Sequence, residues 1–158
     1  LQPNVVTITS LLTACFDRNN VTMARLLAGS FNDAARRSDR RLLLDIECAM
    51  IVGLCRQDRG SARIRHRVAE ALCRYAEITD PYSGGSTSFR MPVRVSNALL
   101  AGLVAVGDVA GATKVLALME SSAAHQPNGY SFSMMMALFA RSKQFERAAV
   151  LWKRLLYE

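Results

Sequence analysis

Residues 93–119 read VRVSNALLAGLVAVGDVAGATKVLALM. In the second half of this stretch, apolar residues recur at the i, i+3 and i+4 spacing of an amphipathic helix: Val109, Ala112, Val115, Leu116 and Met119. The dipeptide Gly107-Asp108 interrupts the pattern, because glycine breaks helices and aspartate is a good N-cap. The stretch therefore predicts two helices joined by a short turn, which is a helix-turn-helix hairpin.

The pattern of this hairpin recurs at fixed offsets from two other starting points, Val5 and Gly129. An apolar pair stands six residues after each start, at Leu11-Leu12, Leu99-Leu100 and Met135-Met136. A small alanine stands nineteen residues after each start, at Ala24, Ala112 and Ala148. One hairpin cannot bury its apolar face alone, so neighbouring hairpins are expected to stack into a solenoid.

The recurrence divides residues 1–158 into one array of four predicted repeats: repeat 1 at 5–43, repeat 2 at 44–92, repeat 3 at 93–128 and repeat 4, incomplete, at 129–158. Repeat 2 is degenerate, and its excess length lies largely in the Pro-, Gly- and Ser-rich segment 79–90. Its second helix is displaced, with Ile64 or Val68 as candidate core residues. Residues 1–4 resemble the tail of a preceding repeat, which predicts a longer array.

Two phrases carry a family resemblance. The sequence VVTITSLL at 5–12 follows Pro3-Asn4, and VRVSNALLAGL at 93–103 has the same form. Together with the second-helix phrases at 107–119 and 143–155, they resemble the pentatricopeptide repeat. The tetratricopeptide repeat is the chief rival, but its W-x-x-L-G-x-x-Y signature is absent. The resemblance implies an all-α fold, a right-handed α-solenoid of stacked antiparallel helix-turn-helix hairpins. It also implies binding of single-stranded RNA in mitochondria or chloroplasts, one base per repeat.

The resemblance places one base-reading side chain at the fifth position of each repeat: Thr9, Cys48, Asn97 and Ser133. The partner in reading is the last residue before the next repeat: Asn128 for repeat 3, Asn4 for a repeat upstream, and Asp39 as a candidate for repeat 1. Asn97 with Asn128 would prefer a pyrimidine, cytosine before uracil. Cys48 is a poor reader, so repeat 2 is expected to read no base. The alternative is that these polar residues of a first helical turn are solvated or act as caps.

Second positions in the family stack a side chain between adjacent bases. Here they are Val6, Asp45, Arg94 and Tyr130. Val6 is an ordinary residue for this role, and the planar groups of Arg94 and Tyr130 can stack on bases. A carboxylate at Asp45 is unfavourable, because it would face bases and phosphates.

The chain has a formal net charge of +7, carried by 17 Arg and 3 Lys. A basic excess of this kind favours a polyanionic partner such as RNA. A predicted phosphate-binding patch comprises Arg36, Arg37, Arg40, Arg41, Arg63, Arg65 and Arg67. The alternative is an ordinary charged surface on the outer helices.

No Ser/His/Asp set, Gly-rich phosphate loop or metal-ligand spacing is present, so the sequence predicts neither an enzyme nor a cofactor or metal site. The cysteines lack any C-x-x-C pair, and Cys15, Cys48 and Cys55 lie in apolar helical patterns, which predicts buried reduced thiols. No apolar run approaches the length of a membrane span.

Three functions remain open. The first is a transcript-binding protein acting in organellar RNA processing, stability or translation. The second is a scaffold subunit of a large ribonucleoprotein such as the mitochondrial ribosome, contacting ribosomal RNA and neighbouring proteins by shape and charge. The third is a protein-only scaffold, which the excess of arginine disfavours.

Overall fold

We analysed a computed structural model of the chain, which describes residues 4–35, 40–56, 63–79, 91–121 and 126–157. These ranges contain helices and no strand, so the described part of the chain is all-α. The chain divides into two compact units, Leu1–Ile78 and Thr79–Glu158, which we call the N-terminal and the C-terminal unit.

The N-terminal unit contains the helices α1 (Val5–Asp17), α2 (Val21–Ala35), α3 (Arg40–Arg56) and α4 (Ile64–Thr79). The C-terminal unit contains α5 (Val93–Val106), α6 (Val109–Ser121), α7 (Gly129–Arg141) and α8 (Phe145–Tyr157). Helices α1, α5 and α7 begin where repeats 1, 3 and 4 were predicted to begin. Helix α3 begins at Arg40, four residues ahead of the predicted start of repeat 2 at residue 44. The Pro-, Gly- and Ser-rich segment predicted at 79–90 lies outside the described residues from position 80 to 90.

Three of the interhelical turns have the same backbone geometry. Asn19, Gly107 and Lys143 adopt a left-handed conformation, with φ of 56°, 76° and 59°. In each turn the N–H of the following residue bonds the carbonyl of Cys15, Leu103 or Phe139, at 2.8–3.0 Å. This is the hydrogen bond of a Schellman motif, which ends a helix by satisfying one of its last carbonyls. The turn is therefore a repeated structural element.

Asp108 is the N-cap of α6, as the sequence predicts. Its Oδ1 accepts a hydrogen bond from the N–H of Gly111 at 2.9 Å. Asn20 does the same for α2, since its Oδ1 accepts from the N–H of Met23 at 3.1 Å. Each of these hairpins thus closes one helix and opens the next within a few residues, so the two helices must fold back on each other.

The core of the N-terminal unit forms where α3 packs against both α1 and α2. The apolar pair Met50-Ile51 of α3 is fully buried, as are Leu12 of α1 and Ala24 of α2. At the crossing of α1 and α3, a Cβ added to Gly53 would overlap the ring of Phe16. Gly53 therefore allows a close approach of the two helices, which no larger residue would permit.

The C-terminal unit repeats this arrangement. Helix α7 packs against α5 and α6, and α8 packs against α7. Ala112 occupies the small-residue column of α6 and is fully buried, as is the apolar pair Leu99-Leu100. In α8, Leu151 is the buried residue, whereas Trp152 is 51% exposed.

The four cysteines are free thiols. Cys48 is buried as predicted, Cys15 and Cys55 are partly buried, and Cys73 is exposed on α4. Burial raises the pKa of the Cys55 thiol to about 12, so this group stays protonated at neutral pH.

We expect Gly53→Ala to destabilise the protein by about 1–3 kcal/mol, because the added methyl group overpacks the contact with Phe16. Gly29→Ala is the matched control, since Gly29 is exposed on α2 with open space around its missing Cβ. That substitution should stabilise by about 0.5–1 kcal/mol through helix propensity alone. Urea denaturation followed by circular dichroism measures both changes, and equal stabilisation by the two alanines would contradict the close packing of α1 and α3.

Candidate nucleic-acid interface

A cluster of three polar side chains joins the start of α7 to the first turn of α5. Asn128 caps α7, and its Oδ1 accepts from the N–H of Ser131 at 3.0 Å. The Oγ of Ser131 accepts in return from the N–H of Asn128 at 3.2 Å, which completes a capping box. The hydroxyl of Ser131 also donates to Oδ1 of Asn97 at 2.6 Å. The cap of one helix is therefore bonded to the helix beneath it.

Asn97 and Asn128, the predicted reading pair of repeat 3, are in contact. Nδ2 of Asn97 donates to Oδ1 of Asn128 at 3.3 Å. Asn97 is only 9% exposed, because α7 packs over this turn of α5. Asn128 is exposed at the helix N-terminus. The pair thus consists of a buried supporting amide and an exposed amide.

Some hydrogen-bonding groups of the Asn97 and Asn128 amides have no protein partner within the described residues. An asparagine amide carries two N–H donors and an acceptor oxygen with two lone pairs. Within the described residues, Nδ2 of Asn128 has no protein acceptor, so both of its N–H groups are open to solvent or a ligand. Asn97 has committed its oxygen to Ser131 and one N–H to Asn128. The polar groups that a base can contact therefore lie mainly on Asn128.

The other predicted readers have their hydroxyl or amide oxygens in local hydrogen bonds. Thr9 donates its hydroxyl to the carbonyl of Val5 at 2.9 Å, and Ser133 donates to the carbonyl of Gly129 at 2.7 Å. Asn4 caps α1, and its Oδ1 accepts from the N–H and the hydroxyl of Thr7 at 2.9 and 2.8 Å. Hydroxyl groups inside helices often make this bond one turn back, so it gives no preference for a base.

The predicted stacking residues are exposed. Val6, Arg94 and Tyr130 are each the second residue of their helix, in α1, α5 and α7. The exposed fraction is 69% for Val6 and 60% for Tyr130. In the C-terminal unit, Tyr130 stands two residues after Asn128, so an aromatic ring adjoins the exposed amide in sequence. In repeat 2 the corresponding Asp45 is exposed and Cys48 is buried, which leaves the thiol little access to a base.

The predicted phosphate-binding patch is only partly described. Arg36 and Arg37 lie outside the described residues, as does the side chain of Arg40. Arg41, Arg63 and Arg65 are exposed, the last two beside the start of α4. Arg67 is buried and not available as a surface phosphate ligand: it is 9% exposed, and its Nη2 donates to Oδ1 of Asn19 at 3.1 Å. Arg67 therefore ties α4 to the turn between α1 and α2.

Sequence reasoning missed an ion-pair network that joins α2, α3 and α4. Glu70 on α4 accepts from Nε of Arg25 on α2 at 3.1 Å. Arg74, one turn after Glu70, bonds it at 3.2 Å and also bonds Glu47 on α3 at 2.6 Å. Only the Glu70–Arg74 pair has a sequence signal, the i, i+4 spacing of opposite charges on a helix. The network neutralises two arginines that charge counting would assign to a nucleic acid.

The network changes the acid–base behaviour of its members. Burial works to raise the pKa of Glu70, but hydrogen bonds and charges from Arg25 and Arg74 outweigh burial, so the pKa lies below its usual value. Burial works to lower the pKa of Arg74, but its bonds and ion pairs with Glu47 and Glu70 outweigh it, and the pKa is raised. Both shifts favour the charged forms in the folded protein.

Comparisons of the chain with protein-family models, with curated proteins and with solved structures found no match. None of the described helices combines the length and the hydrophobicity that a bilayer crossing requires.

We expect Glu70→Gln to lower the free energy of unfolding at neutral pH by about 0.5–1 kcal/mol, the range of partly exposed ion pairs. In an unfolded chain, the pKa of a glutamate is about 4.3. Because the folded pKa is lower, the stabilisation is complete above that pH and is lost as the pH falls through the folded pKa. The difference between the two proteins should therefore shrink in acid.

Chemical denaturation at a series of pH values measures this difference. Glu77→Gln on the same helix is the matched control, since Glu77 is exposed and makes no ion pair within the described parts of the chain. A difference between wild type and Glu70→Gln that does not depend on pH would show that the network contributes nothing through charge.

Proposed function

We propose that this protein is a helical-repeat RNA-binding protein of mitochondria or chloroplasts, acting in RNA processing, stability or translation. Its hairpins would stack into a right-handed α-solenoid, and the first turns of its first helices would contact single-stranded RNA. The observation that carries the proposal is the contact of Asn97 with Asn128 at 3.3 Å. These two residues lie 31 positions apart, and the family resemblance had paired them before their contact was known. The resemblance to pentatricopeptide repeats supports the same function.

The exposed amide is chemically compatible with the pyrimidine that the resemblance to pentatricopeptide repeats implies. Asn128 presents N–H donors, and the O2 and N3 atoms of cytosine and the O2 atom of uracil are acceptors. Asn97 holds the oxygen of Asn128, which fixes the direction of the amide. Stacking on an aromatic ring or a guanidinium plane contributes about 1–3 kcal/mol per base, and Tyr130 and Arg94 are exposed for that role.

The charge of the chain supports a nucleic acid partner. With a net charge of +7, the protein attracts polyanions, and exposed arginines such as Arg41, Arg63 and Arg65 can neutralise phosphates. This contribution is independent of sequence and weakens with salt.

A second function deserves comparison, that of a scaffold subunit in a large ribonucleoprotein such as the mitochondrial ribosome. The hydroxyl groups of Thr9 and Ser133 are bonded to their own helices, and Asn97 is 9% exposed. Among the reading residues that the structure describes within the four repeats, only those of repeat 3 thus present an open amide. A scaffold would bind ribosomal RNA by shape and charge and would need no readers.

We expect Asn128→Asp to weaken binding of a single-stranded pyrimidine RNA by about tenfold. A carboxylate oxygen still caps α7, but the two N–H donors are lost and a negative charge faces the RNA. Asn20→Asp is the matched control, because Asn20 also caps a helix through its Oδ1 but lies in the turn between α1 and α2 and is not a predicted reader. Fluorescence anisotropy with labelled RNA measures both.

Four homopolymer RNAs, compared at low and at physiological salt, separate the two functions. Tighter binding of the pyrimidine polymers, lost in Asn128→Asp, supports base reading. Equal affinity for all four polymers with a steep dependence on salt supports the scaffold. A protein that binds none of the four at either salt concentration would contradict both and leave a protein-only scaffold.

A further inference from the structure

Asn128 is the only one of the six asparagines in the sequence that is followed by glycine. An asparagine side chain loses ammonia when the backbone nitrogen of the next residue attacks its Cγ atom. A side chain on that next residue hinders the attack, and glycine has none. The dipeptide Asn128-Gly129 is therefore the point in this sequence where deamidation meets the least steric hindrance.

Three helix-capping asparagines allow a comparison within the molecule. Asn4, Asn20 and Asn128 are all exposed, and in each the Oδ1 atom accepts from the N–H of the third residue after it. A valine follows Asn4 and Asn20, and its branched Cβ stands beside the backbone nitrogen. A Cβ added to Gly129 would meet no atom within 4 Å. The three sites thus share a role and differ in access to the nitrogen that would react.

The side-chain carbonyl of Asn128 is surrounded by hydrogen-bond donors. Its Oδ1 accepts from the N–H of Ser131 at 3.0 Å and from Nδ2 of Asn97 at 3.3 Å. The hydroxyl of Ser131 lies 3.0 Å from the same oxygen and 2.6 Å from Oδ1 of Asn97, so these two oxygens share its proton. Attack on Cγ places a negative charge on Oδ1, and donors already aimed at this oxygen stabilise that charge.

The other reacting groups of this dipeptide are unoccupied. Within the described residues, Nδ2 of Asn128 has no protein acceptor, so its departure breaks no protein hydrogen bond. Gly129 is exposed and is the first residue of α7, and its N–H has no acceptor in the described part of the chain. The positive end of the helix dipole lies at this N–H group and favours the loss of its proton.

We propose that Asn128 deamidates spontaneously in the folded protein. The backbone nitrogen of Gly129 gives up its proton to solvent and bonds to Cγ of Asn128. The bond from Cγ to Nδ2 breaks, and Nδ2 leaves as ammonia, which closes a succinimide ring. Water then adds to either carbonyl carbon of the ring and opens it to aspartate or isoaspartate. The reaction consumes one water, releases one ammonia and needs no oxidant or cofactor.

The two products differ in their effect on α7. Aspartate keeps a carboxylate oxygen at the cap, and its charge is favourable at a helix N-terminus. Isoaspartate puts the side-chain methylene into the main chain, which displaces the cap. Both products lack the N–H donors of Asn128 and add a negative charge on the surface proposed to contact RNA. Loss of RNA affinity with the age of the molecule rests on the proposed function, whereas the deamidation does not.

The experiment is incubation of the purified 158-residue chain, without RNA, for several weeks at neutral and at mildly alkaline pH. Peptide mapping by mass spectrometry detects the conversion of an amide to a carboxyl group at each asparagine. We expect conversion at Asn128 about tenfold or more faster than at Asn20, because no Cβ shields the nitrogen of Gly129. The rate should rise with pH, since the attacking group is the deprotonated nitrogen.

Gly129→Ala is the matched variant. Its methyl group enters open space, and alanine favours a helix, so the fold and the cap of α7 should be retained. We expect Asn128 to deamidate about tenfold more slowly in this variant, because the Cβ shields the nitrogen. The same proteins incubated in urea give the rate for the unfolded chain, and circular dichroism verifies the folded samples.

Three outcomes would overturn the proposal. Asn128 could survive as long as Asn20 in the folded protein. It could react only in urea, which would show that the cap protects it. Equal rates in the wild type and in Gly129→Ala would show that the following residue does not control the reaction. Aged wild type that is deamidated yet binds a pyrimidine RNA as tightly as fresh protein would leave the deamidation intact and contradict the reading role of Asn128.

Discussion

In both compact units, the apolar groove of the first hairpin is buried by a helix from outside that hairpin. Two short helices joined by a tight turn bury one apolar side against each other. The apolar side chains on their other side are buried only when a further helix packs against them. Where that helix is present, as with α3 over α1 and α2, the residues beneath it are fully buried. The packing of α3 on α1 also requires a close approach of the two helices. Gly53 allows it, because a Cβ at this position would overlap the ring of Phe16.

The packing of one hairpin on the next also determines the position of the candidate site. Asn97 and Asn128 meet because α7 seats on α5, so the start of α7 comes down onto the first turn of the helix beneath. The capping box of α7 and the proposed reading pair therefore share atoms. Asn128 combines two roles in one side chain, since its oxygen caps α7 and its exposed nitrogen is the group proposed to contact RNA. An aspartate at this position keeps the first role and loses the second.

Much of the architecture could be predicted from the sequence because it is local. Helix starts at Val5, Val93 and Gly129, and the turn at Gly107-Asp108, follow from periodicity, breakers and caps within a few residues. The burial of Asn97 and Arg67 could not be predicted, because each depends on a part of the chain that is far away in sequence: α7 for Asn97, and the turn at Asn19 for Arg67. The Arg25–Glu70 and Arg74–Glu47 pairs have no sequence signal for the same reason, since they span 45 and 27 residues.

The shared left-handed turn has a consequence for how such a chain can diverge. Only one of the three turns uses glycine; the others place Asn19 and Lys143 in the same conformation, and for the lysine this costs roughly 1 kcal/mol. The Schellman bonds and the packing of two helices hold the turn in spite of this cost. The geometry of the turn therefore does not require glycine. Other residues can replace it at this position while the two helices of the hairpin keep their spacing.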